Sequence, residues 1–356
     1  MEPIRKKASP NLACTDAGKL DAGNIIGHAS FKTKAGRRQR CLCKTCGRTF
    51  SANTNTAYAG LRCPRDEFDQ VATMRVEGVS ISAIARITGR SRSTIARWLE
   101  RGAASAKRFN DEHLRKFEIK ELQADELCSF VGSKTNVSWV FSIIEVTSRL
   151  WPTSVVGRRS YHNTELLFNE TIRRGKIVDT ALVTSDGFEF YEKVVRSVLG
   201  VVAIYGQVIK TRRNNRVIRV ERAPKIGTPS QLAAALLESE DSETLNTSYV
   251  ERLNLTLRQE LAYLQRRSPA HARCDGRLGE DLALVQCHYN FIRPHRALKF
   301  GPVIPTPAMQ AGLTDRRLSF RDVFGQSAVS RSRAVILRLP IQPRVSRFAA
   351  EGLLAA

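Results

Sequence analysis

The chain has 356 residues, of which 57 are Lys or Arg and 34 are Asp or Glu, so its formal net charge is +23. This length allows two or three domains, and the charge favours nucleic acid as the partner, because neutralising phosphates releases condensed counterions. A ribosome-associated protein, a merely basic protein or one on an anionic membrane surface fits the charge less well. No apolar run approaches the roughly 18 residues of a membrane-spanning helix, and no apolar segment follows Met1–Lys7, so a signal peptide and export are not expected.

Residues 1–62 are predicted to be rich in loops and to form a zinc-ribbon-like segment. Cys43-Lys-Thr-Cys46-Gly has the C-x-x-C-G form in which two thiolates hold a tetrahedral metal ion. With Cys14 upstream, this makes Cys14, Cys43 and Cys46 candidate ligands of Zn²⁺. Two more residues are candidates for the fourth ligand: Cys41 and His28. A ribbon that has lost a ligand, or a knuckle held by packing alone, fits the same residues.

Residues 64–109 are predicted to be helical and to contain a helix-turn-helix that binds DNA. Gly89 comes where the turn needs a positive φ, Ser91 or Ser93 can cap the second helix, and three apolar residues would pack the helices together: Ile84, Ile95 and Trp98. Four residues of the turn and second helix are candidates for contacts to phosphates and base edges: Arg90, Arg92, Thr94 and Arg97. An ordinary helical hairpin with Gly at its C-cap is the alternative.

Residues 115–300 alternate strand-like and helical runs, which is typical of an α/β fold with a mixed sheet and helices on both faces. Strands are predicted at 117–124, 137–151, 151–157, 181–185 and 201–210. Helices are predicted at 162–174, 187–199 and 248–264. The polar stretch 212–247 is predicted to be an insertion or a flexible loop. Residues 301–356 form a basic C-terminal extension to which the sequence assigns no role.

Three acidic residues follow or lie on these elements: Asp125 and Asp186 at the ends of two predicted strands, and Glu251 on the last predicted helix. Phosphoryl transfer on DNA uses two divalent ions about 4 Å apart, and Mg²⁺ prefers carboxylate oxygens. The three side chains are therefore candidate metal ligands and catalytic residues. Their oxygens are expected within roughly 4–8 Å of one another.

The helix that carries Glu251 has the faces that such a site needs. At 100° per residue, its Val and Leu residues form one apolar stripe, and Glu251, Asn254 and Arg258 form a polar stripe beside it. A solvated amphipathic helix would show the same pattern. Three other carboxylates are weaker candidates for the site. Glu126 is expected to point away from Asp125, and Asp179 precedes its strand. Glu145 is either a buried partner or a sign that the predicted strand ends elsewhere.

The order of these motifs resembles that of bacterial insertion-sequence transposases, and most closely the insertion-element-one type. The resemblance spans about residues 9–300. It rests on the cysteine knuckle, the helix-turn-helix and four further segments: Ala124-Asp-Glu-Leu127, Thr184-Ser-Asp-Gly-Phe188, Val250-Glu-Arg-Leu-Asn-Leu-Thr-Leu-Arg258, and His288-Tyr-Asn-Phe-Ile-Arg-Pro-His-Arg296. This chain has Ser9 where the family usually has Cys, which puts the zinc site in doubt.

The resemblance implies an RNase H-like catalytic domain over residues 115–300 that uses a D-D-E triad with Mg²⁺ or Mn²⁺. Carried onto this chain, the triad is Asp125, Asp186 and Glu251. The implied partners are double-stranded DNA of the element ends and the target, and a second copy of the chain; the implied location is the bacterial cytoplasm, on the nucleoid. Five residues outside the helix-turn-helix are candidate contacts to DNA, or alternatively ordinary polar surface residues: Lys134, Asn254, Arg258, His295 and Arg296. Tyr289 and Phe291 are expected to pack in the protein. A catalytically inert DNA-binding regulator and a nuclease that only cuts are the competing functions.

Overall fold

A computed structural model of the protein describes residues 7–33, 36–214, 216–239, 242–298 and 302–327. In this part of the chain no helix is long and apolar enough to cross a membrane. Most of the described apolar side chains belong to one core that runs from the segment around Tyr58 to Phe324, and two smaller clusters lie beside it.

The N-terminal segment contains a three-stranded antiparallel sheet where mostly loops were predicted. Its strands are β1 (Ile25–Thr33), β2 (Gly36–Cys43) and β3 (Thr49–Ser51), in that order across the sheet. Alternation places Cys41 and Cys43 on the buried face of β2, where they pack with Cys14, Ile25 and Phe50 in a small core of their own.

Three helices follow: α1 (Arg65–Val76), α2 (Ile81–Thr88) and α3 (Arg92–His113). The Ser80 side chain accepts a hydrogen bond from the backbone of Ala83, and Ser91 accepts one from Thr94, so each of the last two helices begins at a serine cap. Gly89 ends α2 with φ of +65°. Ile84, Ile95 and Trp98 are buried between the helices. The helix-turn-helix prediction is confirmed.

The second domain is a six-stranded mixed sheet in the order β6-β5-β4-β7-β8-β9. Its strands are β4 (Phe117–Phe130), β5 (Val137–Glu145), β6 (Leu150–Gly157), β7 (Gly175–Asp186), β8 (Ala203–Arg213) and β9 (Arg216–Ile226). The helices are α4 (Tyr161–Arg174), α5 (Glu189–Val198), α6 (Pro229–Leu237), α7 (Ser248–Glu260) and α8 (Asp275–Cys287), followed by the short α9 (Pro307–Gln310) and α10 (Phe320–Phe324). The pairs β4–β7 and β7–β8 are parallel, and the other three are antiparallel.

Two sequence predictions in this domain are wrong. The strand predicted over 137–151 is a hairpin, because the chain turns after Glu145 and Arg149 takes a φ of +60°. Glu145 is buried at the end of β5, and its carboxylate accepts a 2.7 Å hydrogen bond from the backbone N–H of Ser148, which closes the turn. For the stretch 212–247, the flexible-loop alternative is wrong, since the stretch contains all of β9 and all of α6; the insertion alternative stays a prediction.

Helix α3 joins the two domains, since its first turns belong to the helix-turn-helix and its last turns pack on α8. The Asn110 side chain donates a 2.9 Å hydrogen bond to the carbonyl of Ala283. Beside it, the buried guanidinium of Arg75 on α1 forms an ion pair with Asp281 on α8. The helix-turn-helix is therefore fixed to the sheet domain through packed helices.

The C-terminal extension packs back onto the helix-turn-helix. In α10, the Phe324 ring lies 5.4 Å from that of Phe68 on α1, edge to face. Arg321 forms ion pairs of 2.7 Å with Asp66 and Asp69. Residues 302–327 thus have a structural role, and residues 328–356 of the extension lie outside the described residues.

Candidate active site

Asp125 and Asp186 lie side by side on neighbouring parallel strands. The last paired residues of β4 and β7 are Ala124 and Ser185, and each aspartate follows its member of this pair. Because β7 ends at Asp186, the edge of the sheet is open at that point. The parallel register therefore brings together two residues that are far apart in the sequence.

Glu126 is a third member of this site, which was not expected. Asp125, Glu126 and Asp186 each offer a carboxylate oxygen, and these oxygens lie within 4.8 Å of one another. We call these three residues the carboxylate cluster. Strand alternation favoured the opposite face for Glu126, but at the open edge beyond Asp186 its longer side chain reaches the same space.

The Glu126 carboxylate is held by two side chains. Arg159, two residues after β6, donates from Nε to Glu126 Oε1 over 2.7 Å, and the buried Tyr191 hydroxyl donates to Oε2 over 3.0 Å. The Arg159 guanidinium also lies 3.9 Å from Asp186 and 4.0 Å from the centre of the Phe188 ring. No sequence signal distinguished Arg159 from the other arginines of this chain, since only the fold brings it to the cluster.

Burial and mutual repulsion make the cluster unfavourable in its ionised form. Burial, followed by the charges of Asp186 and Glu126, raises the pKa of Asp125 to about 8. Burial also raises the pKa of Asp186 and of Glu126. Three close carboxyl groups that resist ionisation are a donor set of the kind that a divalent cation stabilises, because the cation favours their charged form. The residues present therefore fit Mg²⁺ or Mn²⁺.

Glu251, on the first turn of α7, is outside this close group. Its exposed carboxylate forms an ion pair with Lys210 on β8 and accepts a 2.8 Å hydrogen bond from the Thr247 hydroxyl. After burial, its charge is one of the lesser causes of the raised pKa values of Asp125 and Asp186. Glu251 thus lies within electrostatic reach of the cluster, and Lys210 was not predicted from the sequence.

Two side-chain contacts dock α7 on β4. The amide oxygen of Gln123 accepts hydrogen bonds from the backbone N–H groups of Tyr249 (2.9 Å) and Val250 (3.2 Å) at the start of the helix. One turn later, Asn254 donates to Asp125 Oδ2 over 2.8 Å. Asn254 is buried, so it positions Asp125, and its predicted role as a contact to DNA is not available to it in this conformation.

The apolar stripe of α7 is buried as predicted. It consists of Val250, Leu253 and Leu257 on the helix, and of Leu261 and Leu264 after it. Arg258 from the polar stripe is half-buried, and its guanidinium donates to the carbonyl of Leu264 over 3.5 Å.

The residues predicted to contact DNA in the helix-turn-helix have different surroundings. Arg92 and Arg97 are exposed on α3, and Thr94 is half-buried, with its hydroxyl 2.9 Å from that of Ser91. Arg90 forms a two-fold ion pair with Glu67 on α1, with a distance of 2.9 Å from Nη2 to Oε2. Contact between Arg90 and a phosphate would therefore have to replace this pair.

The remaining predicted contacts to DNA differ in exposure. Lys134 is exposed in the turn between β4 and β5, and Arg296 is exposed after α8. The His295 ring packs edge-on against Tyr289 with ring centres 4.4 Å apart. Burial, followed by the charge of Arg293, lowers the pKa of His295 to about 4. The lowered pKa favours the neutral imidazole, whose Nε2 lies 3.2 Å from the carbonyl oxygen of Tyr289. The predicted phosphate contact by His295 stays a prediction.

Three cysteines meet in the N-terminal segment: the Sγ atoms of Cys14, Cys43 and Cys46 lie within 4.8 Å of one another. Cys14 and Cys43 are 3.9 Å apart, and Ser9 Oγ lies 3.8 Å from Cys46 Sγ. Ligands at 2.3 Å from a tetrahedral zinc ion are about 3.8 Å apart. The three thiols therefore fit three of the four positions around Zn²⁺, and the buried Ser9 lies beside Cys46. The proposed substitutes Cys41 and His28 are not in this group.

The thiol of Cys46 favours its ionised form. A hydrogen bond from the backbone of Arg48, followed by one from the Asn11 side chain, lowers its pKa to about 6. Thiolate is the form that binds metal ions.

Comparisons with known proteins identify the helix-turn-helix. Residues 67–102 match the family model described as "Helix-turn-helix domain" (HTH_38). A search of curated proteins found no match. Among solved structures, the chain is similar to a chain of the simian T-cell lymphotropic virus intasome in complex with PP2A regulatory subunit B56 gamma, with 10% identity, a TM-score of 0.30, and coverage of 68% of this chain and 73% of that one.

It is also similar to the piggyBac transposase synaptic complex with hairpin DNA, with 8% identity, a TM-score of 0.36, and coverage of 82% of this chain and 76% of that one. At these scores the two likenesses carry no argument about mechanism. What the comparisons establish is that the chain contains a helix-turn-helix domain over residues 67–102.

Proposed function

We propose that the protein is a DNA transposase of the DDE type, which binds element ends and catalyses metal-dependent DNA cleavage and strand transfer. The observation that carries this proposal is the convergence of Asp125 and Asp186 at one edge of the sheet, with Glu251 on the adjoining helix. A DNA-reading domain fixed to that sheet and a net charge of +23 supply the substrate class.

The strand order supports an RNase H-like assignment for the sheet domain. Three antiparallel strands, β6, β5 and β4, are followed by the parallel strands β7 and β8. The acids lie on the first strand of this unit, β4, on the fourth, β7, and on α7, which comes after the fifth strand β8, the edge strand β9 and α6. This arrangement suits a site that must hold two metal ions between strands and helix.

In the proposed mechanism, Asp125, Asp186 and Glu251 hold Mg²⁺ or Mn²⁺. Bound there, the ions would activate the attacking hydroxyl and stabilise the leaving oxygen. Asn254 keeps one oxygen of Asp125 in place, and the Ser248 end of α7 is fixed by Gln123. Glu126 is the residue most directly held by protein groups, so we assign it a supporting role beside the metal ligands.

The cations around the cluster suit a phosphate-bearing substrate. Arg159 and Lys210 neutralise Glu126 and Glu251 in the free protein. A metal ion held by Glu251 would release Lys210 to meet a DNA phosphate, while Arg159 would keep its ion pair with Glu126. The helix-turn-helix, with Arg92 and Arg97 exposed, would bind the element end and deliver it to this site.

The test is a strand-transfer assay with a labelled duplex taken from the DNA that borders the gene. With Mg²⁺ or Mn²⁺, the native chain should join the labelled 3′ end to a target plasmid, and Asp125→Asn and Asp186→Asn should lose this product by at least about 1000-fold. Asp179→Asn is the matched control, because Asp179 is exposed on the same strand as Asp186.

The competing functions give different results. Native product levels in Asp125→Asn would refute the proposal, whereas cleavage without any joined product would indicate a nuclease. An inert regulator would bind the duplex through the helix-turn-helix and give neither product. The ion pair between Glu251 and Lys210 is the feature that favours this last alternative, since it neutralises one proposed ligand.

A further inference from the structure

The β8–β9 hairpin projects beyond the sheet at the edge that carries the carboxylate cluster. Strand β8 pairs with β7 only as far as Val208, which lies opposite Asp186. Beyond this point, residues 209–213 of β8 pair with residues 216–221 of β9, and β9 is the last strand of the sheet. At about 3.3 Å per residue, the two-stranded tip extends roughly 17 Å past the end of β7.

This tip carries a high density of positive charge. Residues 209–221 contain five cations, Lys210, Arg212, Arg213, Arg216 and Arg219, and one acid, Glu221. Every residue of β9 from Arg216 to Arg222 is exposed. Lys210 at the base is paired with Glu251, and Arg219 lies 3.2 Å from Glu221. Arg213 and Arg216 have no acidic partner among the described residues.

The pairing register places three arginines on one face of the tip. Arg213 lies directly opposite Arg216, and Thr211 lies opposite Arg219. Residues 211 and 213 share a face because side chains alternate along a strand, and directly opposed residues share a face as well. A β-bulge at Ile218 adds one residue to β9. Without it, Arg216 and Arg219 would point to opposite faces.

Such an arrangement is unfavourable in isolation, because like charges directly opposite each other destabilise a strand pair. A polyanion that lies along the hairpin would remove this repulsion. A second copy of this chain would not, since it also carries +23 and would add positive charge to positive charge. The spacing of a two-stranded ribbon is suited to the major groove of a DNA duplex.

We propose that the β8–β9 hairpin is a DNA-binding arm that holds duplex DNA over the carboxylate cluster through Arg213, Arg216 and Arg219. The arm begins beside Asp186 and Glu251, so DNA held along it passes the cluster edge. This inference rests on the proposed function for its choice of DNA as the polyanion. Binding by the arm, however, needs neither the metal ions nor the reaction.

The test measures affinity for a fluorescent 40-base-pair duplex of random sequence, by anisotropy in EDTA, as a function of salt. The protein is the full chain with Asp125→Asn, so catalysis plays no part. Adding Arg213→Ala, Arg216→Ala and Arg219→Ala should weaken binding by at least about tenfold. The fall of log affinity with log salt concentration should also become less steep, by about two to three in the magnitude of the slope. Each lost phosphate contact removes about 0.9 from that magnitude.

The matched control removes the same charge elsewhere: Lys107→Ala, Arg108→Ala and Arg115→Ala, all exposed on or just after α3, away from the cluster edge. Equal affinity and equal salt slope in the two triple variants would overturn the proposal. Weaker binding together with a fall in the mass of the free protein, measured by light scattering, would also overturn it. The hairpin would then be an interface between copies, as its exposed Val217 and Val220 would allow.

A second measurement stays informative if the triple variant folds poorly. A photo-crosslinking p-benzoylphenylalanine at position 218, where Ile218 is 60% exposed, should give a protein–DNA adduct. The same group at position 166, an exposed site on α4, should give none. An adduct between two protein chains at position 218, or no DNA adduct there, contradicts the proposal. A DNA adduct at position 218 in a protein that shows no strand transfer would support the DNA-binding arm and refute only the proposed reaction.

Discussion

The Asn254 side chain on α7 donates a 2.8 Å hydrogen bond to the Oδ2 atom of Asp125 on β4. Asn254 lies one helical turn after Glu251, so this bond ties the helix that carries one proposed metal ligand to the strand that carries another. The two ligands therefore depend on a contact between residues 129 positions apart in the chain. The position of the site is a property of the docked helix.

Asn254→Ala is expected to weaken Mn²⁺ binding by about 10- to 100-fold, the usual effect of removing a group that orients a ligand. Titration of Mn²⁺ followed by electron paramagnetic resonance measures this directly. Arg252→Ala changes an exposed residue of the same helix and should keep the native affinity. If both variants bind Mn²⁺ like the native chain, Asn254 has no positioning role.

The metal-free protein is expected to lose stability as the pH rises from about 4 to about 8. In the unfolded chain Asp125 ionises near its ordinary pKa of 3.8, whereas burial and the charges of Asp186 and Glu126 raise its pKa to about 8 in the folded chain. Between these values the folded state binds the proton more tightly, so each rise in pH favours the unfolded state. The loss is complete above the folded pKa.

Asp125→Asn removes this titration. In EDTA, it should raise the Tm by at least about 3 °C at pH 8.5 and leave it near the native value at pH 4.5. Asp179→Asn, at an exposed position, should change neither value. A gain of the same size at both pH values would show that the effect of Asp125→Asn is not caused by charge.

The buried ion pair between Arg75 and Asp281 should be important for holding the helix-turn-helix on the sheet domain. Arg75 is only 1% exposed, and its guanidinium also lies 4.4 Å from the centre of the Tyr263 ring. Asp281→Ala leaves this charge buried without its partner, so the free energy of unfolding should fall by about 3–5 kcal/mol. Urea unfolding measures the change.

Two further variants separate the ion pair from general effects. Replacing both partners, as Arg75→Met with Asp281→Leu, should recover most of the lost stability, because no unpaired charge remains. Glu280→Ala breaks a pair with Arg277 at the surface of the same helix and should cost less than about 1 kcal/mol. Equal losses for Asp281→Ala and Glu280→Ala would contradict the prediction.

The zinc hypothesis predicts opposite effects for two substitutions at the cysteine group. Ser9 Oγ lies 3.8 Å from Cys46 Sγ, so Ser9→Cys should supply a fourth thiolate and keep zinc at chelator concentrations that remove it from the native chain. Cys46→Ser should lose zinc first. Zinc per chain after dialysis against chelator is the measurement, and an absence of zinc from both the native and the Ser9→Cys chain would refute the site.

Local signals were sufficient for the helix-turn-helix. All of its determinants lie within about twenty residues, so they could be predicted from the local sequence. They are the two serine caps, the glycine with positive φ, and the spacing of Ile84, Ile95 and Trp98. The leucine stripe of α7 could be predicted for the same reason. Asp125 and Asp186 could be selected as candidates because each followed a strand-like run.

Other features depended on contacts that no local pattern encodes. The hairpin turn after Glu145 was missed because a Val- and Ile-rich run does not show where a strand ends. Strand β9 was missed because its residues are mostly polar and exposed, so it lacks the apolar alternation of a half-buried strand. Glu126 was assigned to the wrong face, since alternation describes the interior of a strand and does not describe an open edge.

By itself, the sequence determined the helix-turn-helix, the helix that carries Glu251, the basic charge and the acidic candidates, since these follow from propensity, periodicity and composition. Tertiary structure alone decided which of the acids meet. The parallel pairing of β4 with β7 aligned Asp125 with Asp186, brought in Glu126 and Arg159, and placed the β8–β9 hairpin beside them. Pairing between strands about 60 residues apart depends on how the whole core packs. The free energy of that packing comes from contacts between many segments, so no single segment predicts it.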